Sequence, residues 1–208
     1  MAIPKQALFI GAGASALTGG GIGVYLLSQD KTIEHKLIRE GITLISNQDE
    51  YEIAFMENKE FKNFVAETGL NASDKANTGG NSLNTWCKKH LNMELSEKNI
   101  KDILPKVKKY CAKPSENIGE KYIKLERKWI EKTGWETKLS ALKKANPNDE
   151  NLKQDLKVQN LDGTDGNNPA IKALEDWCNK QKEVKLVNDK ENTIWEKVKG
   201  RCLQDLSS

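Results

Sequence analysis

Histidine is scarce in this chain: 208 residues contain two. No G-x-S-x-G or other nucleophile motif accompanies them, so catalysis by a familiar triad has no support and the chain reads as non-enzymatic. The four cysteines include no Cys-x-x-Cys pair, which removes the usual spacing of a zinc site. The first of them is Cys87, so a lipid cannot be attached through an N-terminal cysteine. An excess of one charge is missing too. The 33 basic and 30 acidic residues are interspersed with a net of +3, without the one-sided basic footprint that a nucleic-acid partner calls for. No stretch alternates apolar and polar residues up to a hairpin turn, so the fold class is all-α. No cofactor is implied.

Against these absences stands a repetition. Ser82-Leu83-Asn84-Thr85-Trp86-Cys87 is answered by Ala173-Leu174-Glu175-Asp176-Trp177-Cys178, and Lys106-Val107-Lys108-Lys109-Tyr110-Cys111 by Lys197-Val198-Lys199-Gly200-Arg201-Cys202. The offset is 91 at both blocks, so each copy carries W-C-x23-C. Such a match predicts a duplicated helical unit with one cysteine pair per copy. The favoured pairing is Cys87 with Cys111 and Cys178 with Cys202, among three connectivities and the free-thiol state. Each pair closes a loop of about 24 residues, which a chain-entropy estimate values at about 3 kcal/mol. Units of that size bury modest cores and gain from a staple.

The charge is unevenly placed in one respect. Ala7 to Leu27 carries none, between Lys5 on one side and Asp30 and Lys31 on the other. At 1.5 Å per residue a helix of this length crosses a hydrocarbon core, so a single N-terminal membrane span is expected. Gly11, Ser15, Gly19 and Gly23 recur every four residues and form a column of small side chains, a face for self-association of two such helices. Ala14-Ser15-Ala16 offers a cleavable pattern, but the apolar run before it is short for a signal core. Gly11-x-Gly13-x-x-Ala16 approximates a dinucleotide fingerprint, yet Gly19-Gly20-Gly21 interrupts the helix that the motif requires. Lys31, Lys36 and Arg39 after the span, against Lys5 before it, favour a cytoplasmic body by the positive-inside bias. The paired cysteines favour an oxidising exterior and outweigh a charge bias this small. Residues 1–30 are thus read as anchor, 31–115 as the first unit and 116–208 as the second.

Within the units the apolar rhythm is helical. Ile33, Leu37 and Ile38 start a helix that Gly41 weakens, and Phe61, Phe64 and Val65 mark the inner face of the next. Asn71 to Asn81, with Gly79-Gly80, reads as a loop, and Ser82 as the N-cap of the helix bearing Leu83, Trp86, Cys87 and Leu91. Pro105 predicts a break near Leu104 in the stretch from Ser96 to Cys111. In the second unit Ile118, Tyr122, Leu125 and Trp129 read as one stripe ended by Gly134. Trp135, Leu139 and Leu142 stripe a helix stopped near Pro147. A polar loop, Gln159 to Asn168, precedes the helix opened by Pro169 that turns Leu174, Trp177 and Cys178 inward. Ile194, Trp195, Val198 and Cys202 belong to the closing helix. The five tryptophans are expected as core anchors.

Three motifs invite chemistry and each has a plainer explanation. Cys87-x-x-His90 resembles a thiol with a base, but the other copy places Gln181 where His90 stands. Asp162-Gly163-Thr164-Asp165-Gly166-Asn167 resembles part of a calcium loop, but the register puts Leu161 and Lys172 at its first and twelfth positions, where neither can ligate. His35 has no recognisable partner near it in sequence.

The layout of a short Lys-containing start, the Gly/Ala-rich segment Ala7 to Leu27, and a Lys-rich helical body with the Trp-Cys helices Ser82 to Cys87 and Leu174 to Cys178 resembles the large sets of uncharacterised paralogous membrane-anchored proteins of haemotropic mycoplasmas. The resemblance covers nearly the whole length and supplies no site residues. It implies a membrane-anchored protein without known activity, displayed at the cell surface; anchor, duplication and cysteine pairing together lead to a single-pass cell-membrane protein with the bulk of the chain outside, presented to host surface proteins or antibodies. The other reading of the same features is a cytoplasm-facing scaffold that recruits partner proteins.

Overall fold

The structure, a computed structural model, describes residues 31–162 and 168–204. The expected span with Gly11, Ser15, Gly19 and Gly23 lies outside the described residues, as do positions 163–167 of the acidic loop. Among the described residues there are eleven α-helices and no strands, and no helix is long and apolar enough to cross a membrane. The first half holds α1 (Ile33–Arg39), α2 (Gln48–Asn58), α3 (Phe64–Thr68), α4 (Ala76–Leu91), α5 (Glu97–Asp102) and α6 (Leu104–Tyr110). The second holds α7 (Ile118–Lys124), α8 (Trp135–Ala145), α9 (Glu150–Leu156), α10 (Pro169–Gln181) and α11 (Thr193–Cys202). Short 3-10 turns at Lys132–Gly134 and Leu186–Asn188 precede α8 and α11. Side chains of Thr32, Asn47, Ser96, Asn117, Asp149 and Asn168 accept from free amides in the first turns, which marks the starts of six helices.

The backbone repeats itself as the cysteines do. Ile33 N donates to Met93 O and Leu95 N to Lys31 O; in the second half Ile118 N donates to Val184 O and Leu186 N to Glu116 O. Ile45 N to Cys111 O and Lys113 N to Thr43 O are matched by Ile130 N to Cys202 O and Gln204 N to Lys128 O. Donors and acceptors before α2 shift by 85 residues and those after α4 by 91, so the second copy is longer in between. In each half these bonds clip a short helix, α1 or α7, against the segments that flank the closing helix. The disulfides Cys87–Cys111 and Cys178–Cys202 tie the closing segment to the long helix, α4 or α10.

Buried side chains fall into two clusters. One runs from Ile33 to Cys111, with Phe55, Phe64 and Tyr110 in edge-to-face contact at 5.9 and 5.3 Å between ring centres. The other runs from Ile118 to Leu203 and takes one residue, Ile53, from the first half. Trp135 and Trp195 are buried as expected of core anchors, whereas Trp86, Trp129 and Trp177 flank the clusters partly exposed.

Several helix limits differ from expectation for tertiary reasons. Residues 76–81 are helix rather than loop, and Ser82 lies inside α4, its hydroxyl donating to Thr78 O. Gly79 and Gly80 sit where α2 crosses: a Cβ on Gly79 would stand 2.1 Å from the Phe55 ring, and one on Gly80 2.9 Å from Glu52 Cα. Close approach of two helices therefore selects glycine there, and propensity yields to it. The stripe Ile118 to Trp129 is no single helix: α7 stops at Lys124, and Trp129 pairs with Leu203. Gly134 precedes α8 instead of ending α7. Gly41 does not weaken α1 but follows its end, at φ +77°. Val65 is exposed beside a buried Phe64. The break at Pro105, the stop of α8 at Ala145 and Pro169 in the first turn of α10 agree with the sequence.

Two sets of variants probe this packing. Gly79→Ala forces a buried ring aside, so it lowers unfolding stability by about 1–3 kcal/mol in urea melts, and a loss below 0.5 kcal/mol contradicts the crossing described. The residue equivalent to Gly41 is Glu126, at φ +54°. A side chain in that conformation costs roughly 1–2 kcal/mol, offset in part by the greater freedom of glycine in the unfolded chain. Glu126→Gly therefore raises the urea midpoint, by roughly 0.5–1 kcal/mol in stability, and Gly41→Glu lowers it.

Candidate functional site

The residues that concentrate charge and burial lie around α2. All eight positions from Tyr51 to Asn58 are buried, on every side of the helix. Tyr51, Ala54 and Phe55 face the first cluster, while Ile53 joins the second. A helix enclosed on all sides by two cores would ordinarily be apolar all round. This one carries Asp49, Glu52 and Glu57, with Glu60 just beyond its end.

Each of these four carboxylates meets a lysine of the second half, whereas Glu50, the other acid of α2, accepts from Ser46. Lys190 Nζ lies 2.5 Å from Asp49 and 3.0 Å from Glu52. Lys124 Nζ lies 2.5 Å from Glu57 Oε1, and Ser115 N donates to Glu57 Oε2 at 3.2 Å. Lys199 Nζ donates to both oxygens of Glu60, at 3.1 and 3.3 Å, and Trp195 Nε1 donates to Oε1 at 3.3 Å. Asn192 bridges the halves: its Nδ2 donates to Met56 O at 3.2 Å and its Oδ1 accepts from Lys121 Nζ at 2.8 Å. Asn192 holds a left-handed backbone at φ +60°. Asp189 accepts from Ile194 N and Trp195 N, both at 2.8 Å, and so serves the first turn of α11.

Lys121 is the most enclosed cation among the described residues, 1% exposed. Its ammonium lies 4.8 Å from the centre of the Trp195 ring. Burial pushes its pKa down to about 8, against the opposing pull of Glu57, Glu60 and Asp189. A lysine so shifted could serve as a base or an amine nucleophile. Here the space bounded by Ile53, Met56, Lys121, Leu186, Asp189, Lys190 and Asn192 leaves no room for a water molecule. Substrate cannot reach the amine in this arrangement, and its chemistry is that of a joint.

The residues singled out from sequence have structural partners. Cys87 is bridged, so no thiol stands beside His90. His90 stacks on Trp86 at 4.2 Å and its Nδ1 lies 2.7 Å from Trp86 O; Gln181 makes the matching bond to Trp177 O. His35 Nδ1 lies 3.3 Å from Thr32 Oγ1. Among the described residues no group of three or more His, Cys, Asp or Glu is placed to hold a metal. A cavity of about 320 Å³ opens beside α8, lined among others by Glu131, Thr133, Thr137, Lys138 and Ala141. It holds a single carboxylate and no cysteine or histidine. The α2 joint was missed from sequence although a signal existed: Gln48 to Asn58 shows no single apolar stripe, and its acidic residues fall between apolar ones on two sides.

No family model matches the chain, and neither a curated protein nor a solved structure matches it.

The Lys121 pKa has a stability consequence whose sign is fixed. From pH about 8 toward 10.5 the folded state binds fewer protons than the unfolded one, so stability rises with pH through that interval. Tyr110 and Tyr51, both raised by burial, work the other way only above pH about 10, so the window from 8 to 9.5 isolates Lys121. Urea unfolding across that window should show stability increasing with pH for the native chain and flat for Lys121→Met. Equal slopes for the two refute the assignment.

Proposed function

We propose that the chain is a non-enzymatic, membrane-anchored surface protein that presents two duplicated, disulfide-stapled helical units outside the cell, for host interaction or antigenic display. The observation that carries this reading is the disulfide pair. Both bridges lie at equivalent places, closing the same separation of 24 residues, and all four sulfurs are in buried residues. Structural disulfides suit an oxidising, extracytoplasmic environment. The uncharged segment from Ala7 to Leu27 supports an anchor, and the resemblance of the layout to the paralogous proteins of haemotropic mycoplasmas supports display.

The joint adds a mechanical argument. Two units linked by a flexible tether would present their surfaces independently. Here four carboxylates paired with lysines, and an isoleucine inserted into the other core, hold them as one body. A rigid pair offers a partner a surface wider than one unit, with less ordering cost on binding.

The test is labelling of intact cells with a membrane-impermeant thiol reagent, with and without prior impermeant reductant, followed by mass analysis of the peptides bearing Cys87, Cys111, Cys178 and Cys202. Labelling that appears only after reduction is the expected result. Labelling that needs lysis but no reductant places free thiols in the cytoplasm and replaces this reading with the cytoplasm-facing scaffold.

A further inference from the structure

The joint has a counterpart on the first unit. On the second unit the face that receives α2 is built from Lys121 and Lys124 on α7 and from Trp195 and Lys199 on α11, with Asn192 before it. The repeated hydrogen bonds set the correspondence between the units: 85 residues for α1 and α7, 91 for α6 and α11. Lys36, Arg39, Lys101, Leu104 and Lys108 of the first unit then occupy the positions of Lys121, Lys124, Asn192, Trp195 and Lys199. Lys190, which holds Asp49 and Glu52, maps onto Asn99, so the first unit carries a related basic face, with Lys101 added and that lysine missing, around a smaller apolar residue. Trp195 is fully covered where Leu104 is partly open, and Lys121 is 1% exposed where the Lys36 side chain is 27% exposed.

One residue marks the difference. Glu40 lies 3.1 Å from Lys36 Nζ and 3.0 Å from Lys108 Nζ, and its counterpart in the second unit is Leu125. In the second unit Lys199 pairs with Glu60, just beyond α2, and with Glu196 of its own helix, while Lys121 donates to Asn192. In the first the equivalent lysines share a single exposed glutamate, whose pKa they hold low.

We infer that the α1–α6 face of the first unit is a docking site for an acidic amphipathic helix of another protein, with Glu40 as the intramolecular group that the helix displaces. The occupied face supplies the template. An α2-like helix places carboxylates at the spacing of Glu57 and Glu60, the two whose lysine partners have cationic counterparts in Arg39 and Lys108, beside an apolar pair like Ile53 and Met56. Charge argues against a second copy of this chain as the occupant. Aligning α8 with α2 by their buried residues, Trp135 and Leu139 on Tyr51 and Phe55, puts Thr133, Ala141 and Lys144 where Asp49, Glu57 and Glu60 stand. The remaining open face of that kind offers one matching acid, Glu136. A head-to-tail contact of this sort therefore does not propagate from chain to chain. Ile38 and Ile123, equivalent and both exposed, lie outside the face, since docking in the second unit leaves Ile123 uncovered. The surface is the same whichever side of a membrane it occupies.

The experiment uses the full chain and a fluorescent synthetic peptide of residues 47–61, the acidic helix itself, with binding read by anisotropy. Saturable binding that weakens with salt is expected, tighter by about three- to tenfold for Glu40→Leu, the residue the occupied face carries. The double reversal Lys36→Glu with Lys108→Glu is expected to weaken it at least tenfold while circular dichroism stays native. Absence of binding to both the native chain and Glu40→Leu overturns the inference, as does binding that the reversal leaves unchanged, which would place the peptide at the α2 joint. Sedimentation with phosphatidylserine vesicles, or dimerisation in the ultracentrifuge, that the reversal abolishes while no peptide binds also overturns it, in favour of a membrane or a second copy.

Discussion

Everything in this fold turns on one constraint: α2 is wanted by two cores at once. Its inner side packs Tyr51, Ala54 and Phe55 into the first cluster, and its outer side gives Ile53 to the second. From Tyr51 to Asn58 the helix has no face left for solvent, so a charge in that stretch must be satisfied by the protein. Glu57, wholly buried, shows what this requires. Removing one partner of such a pair typically costs about 3–5 kcal/mol, whereas an exposed pair contributes about 0–1. The Lys124 and Ser115 contacts to Glu57 therefore specify how the second half sits far more strongly than the many ion pairs along the helix surfaces. Lys121 completes the arrangement at a cost, visible in its depressed pKa.

Repetition supplies the parts that the joint brings together. Each half is closed by four backbone hydrogen bonds between segments far apart in sequence and by one disulfide. Those bonds tether α1 and α7, seven residues each and too short to be stable alone. Burial of Ile33 and Leu37, or of Ile118, then holds them. The same clips end both helices at one place, where the chain needs a left-handed residue. Gly41 meets that need without strain and Glu126 with some.

What could be read in the chain follows from this division. The cysteine pairs, the Trp-Cys helices, the stop at Pro105 and the start at Pro169 depend on local chemistry and a single offset of 91, and all were legible. The front of the repeat was not, because there the offset is 85 and the matches, Ile33 with Ile118, Lys36 with Lys121, Ile38 with Ile123 and Ile45 with Ile130, are scattered single residues. Gly79 and Gly80 looked like a loop because a glycine pair reports equally a turn and a close helix crossing, and only the partner helix decides. The stripe from Ile118 to Trp129 kept a helical period past Lys124, but Trp129 is held by Leu203 from the far end of the chain. The joint was hidden by its own composition, since acids on a helix ordinarily mean solvent.

A duplicated unit that docks on its own copy faces a difficulty that an isolated unit does not. If both ends stayed complementary, head-to-tail contact would continue from chain to chain and assembly would be open-ended. The two ends of this pair have diverged in charge as well as in shape, where Leu104 stands for Trp195. At the second unit's outer end Ala141 and Lys144 replace acids; at the first unit's outer end Glu40 replaces a leucine and answers the lysines from within. The two changes differ in kind. The first removes the ligand, so that end no longer fits a basic face, while the second leaves the basic face intact and only occupies it. A carboxylate held by two partly exposed lysines is a weak competitor for a helix that brings two acids and an apolar side, so the molecule is closed to its own kind and open, at one end, to an acidic helix from elsewhere.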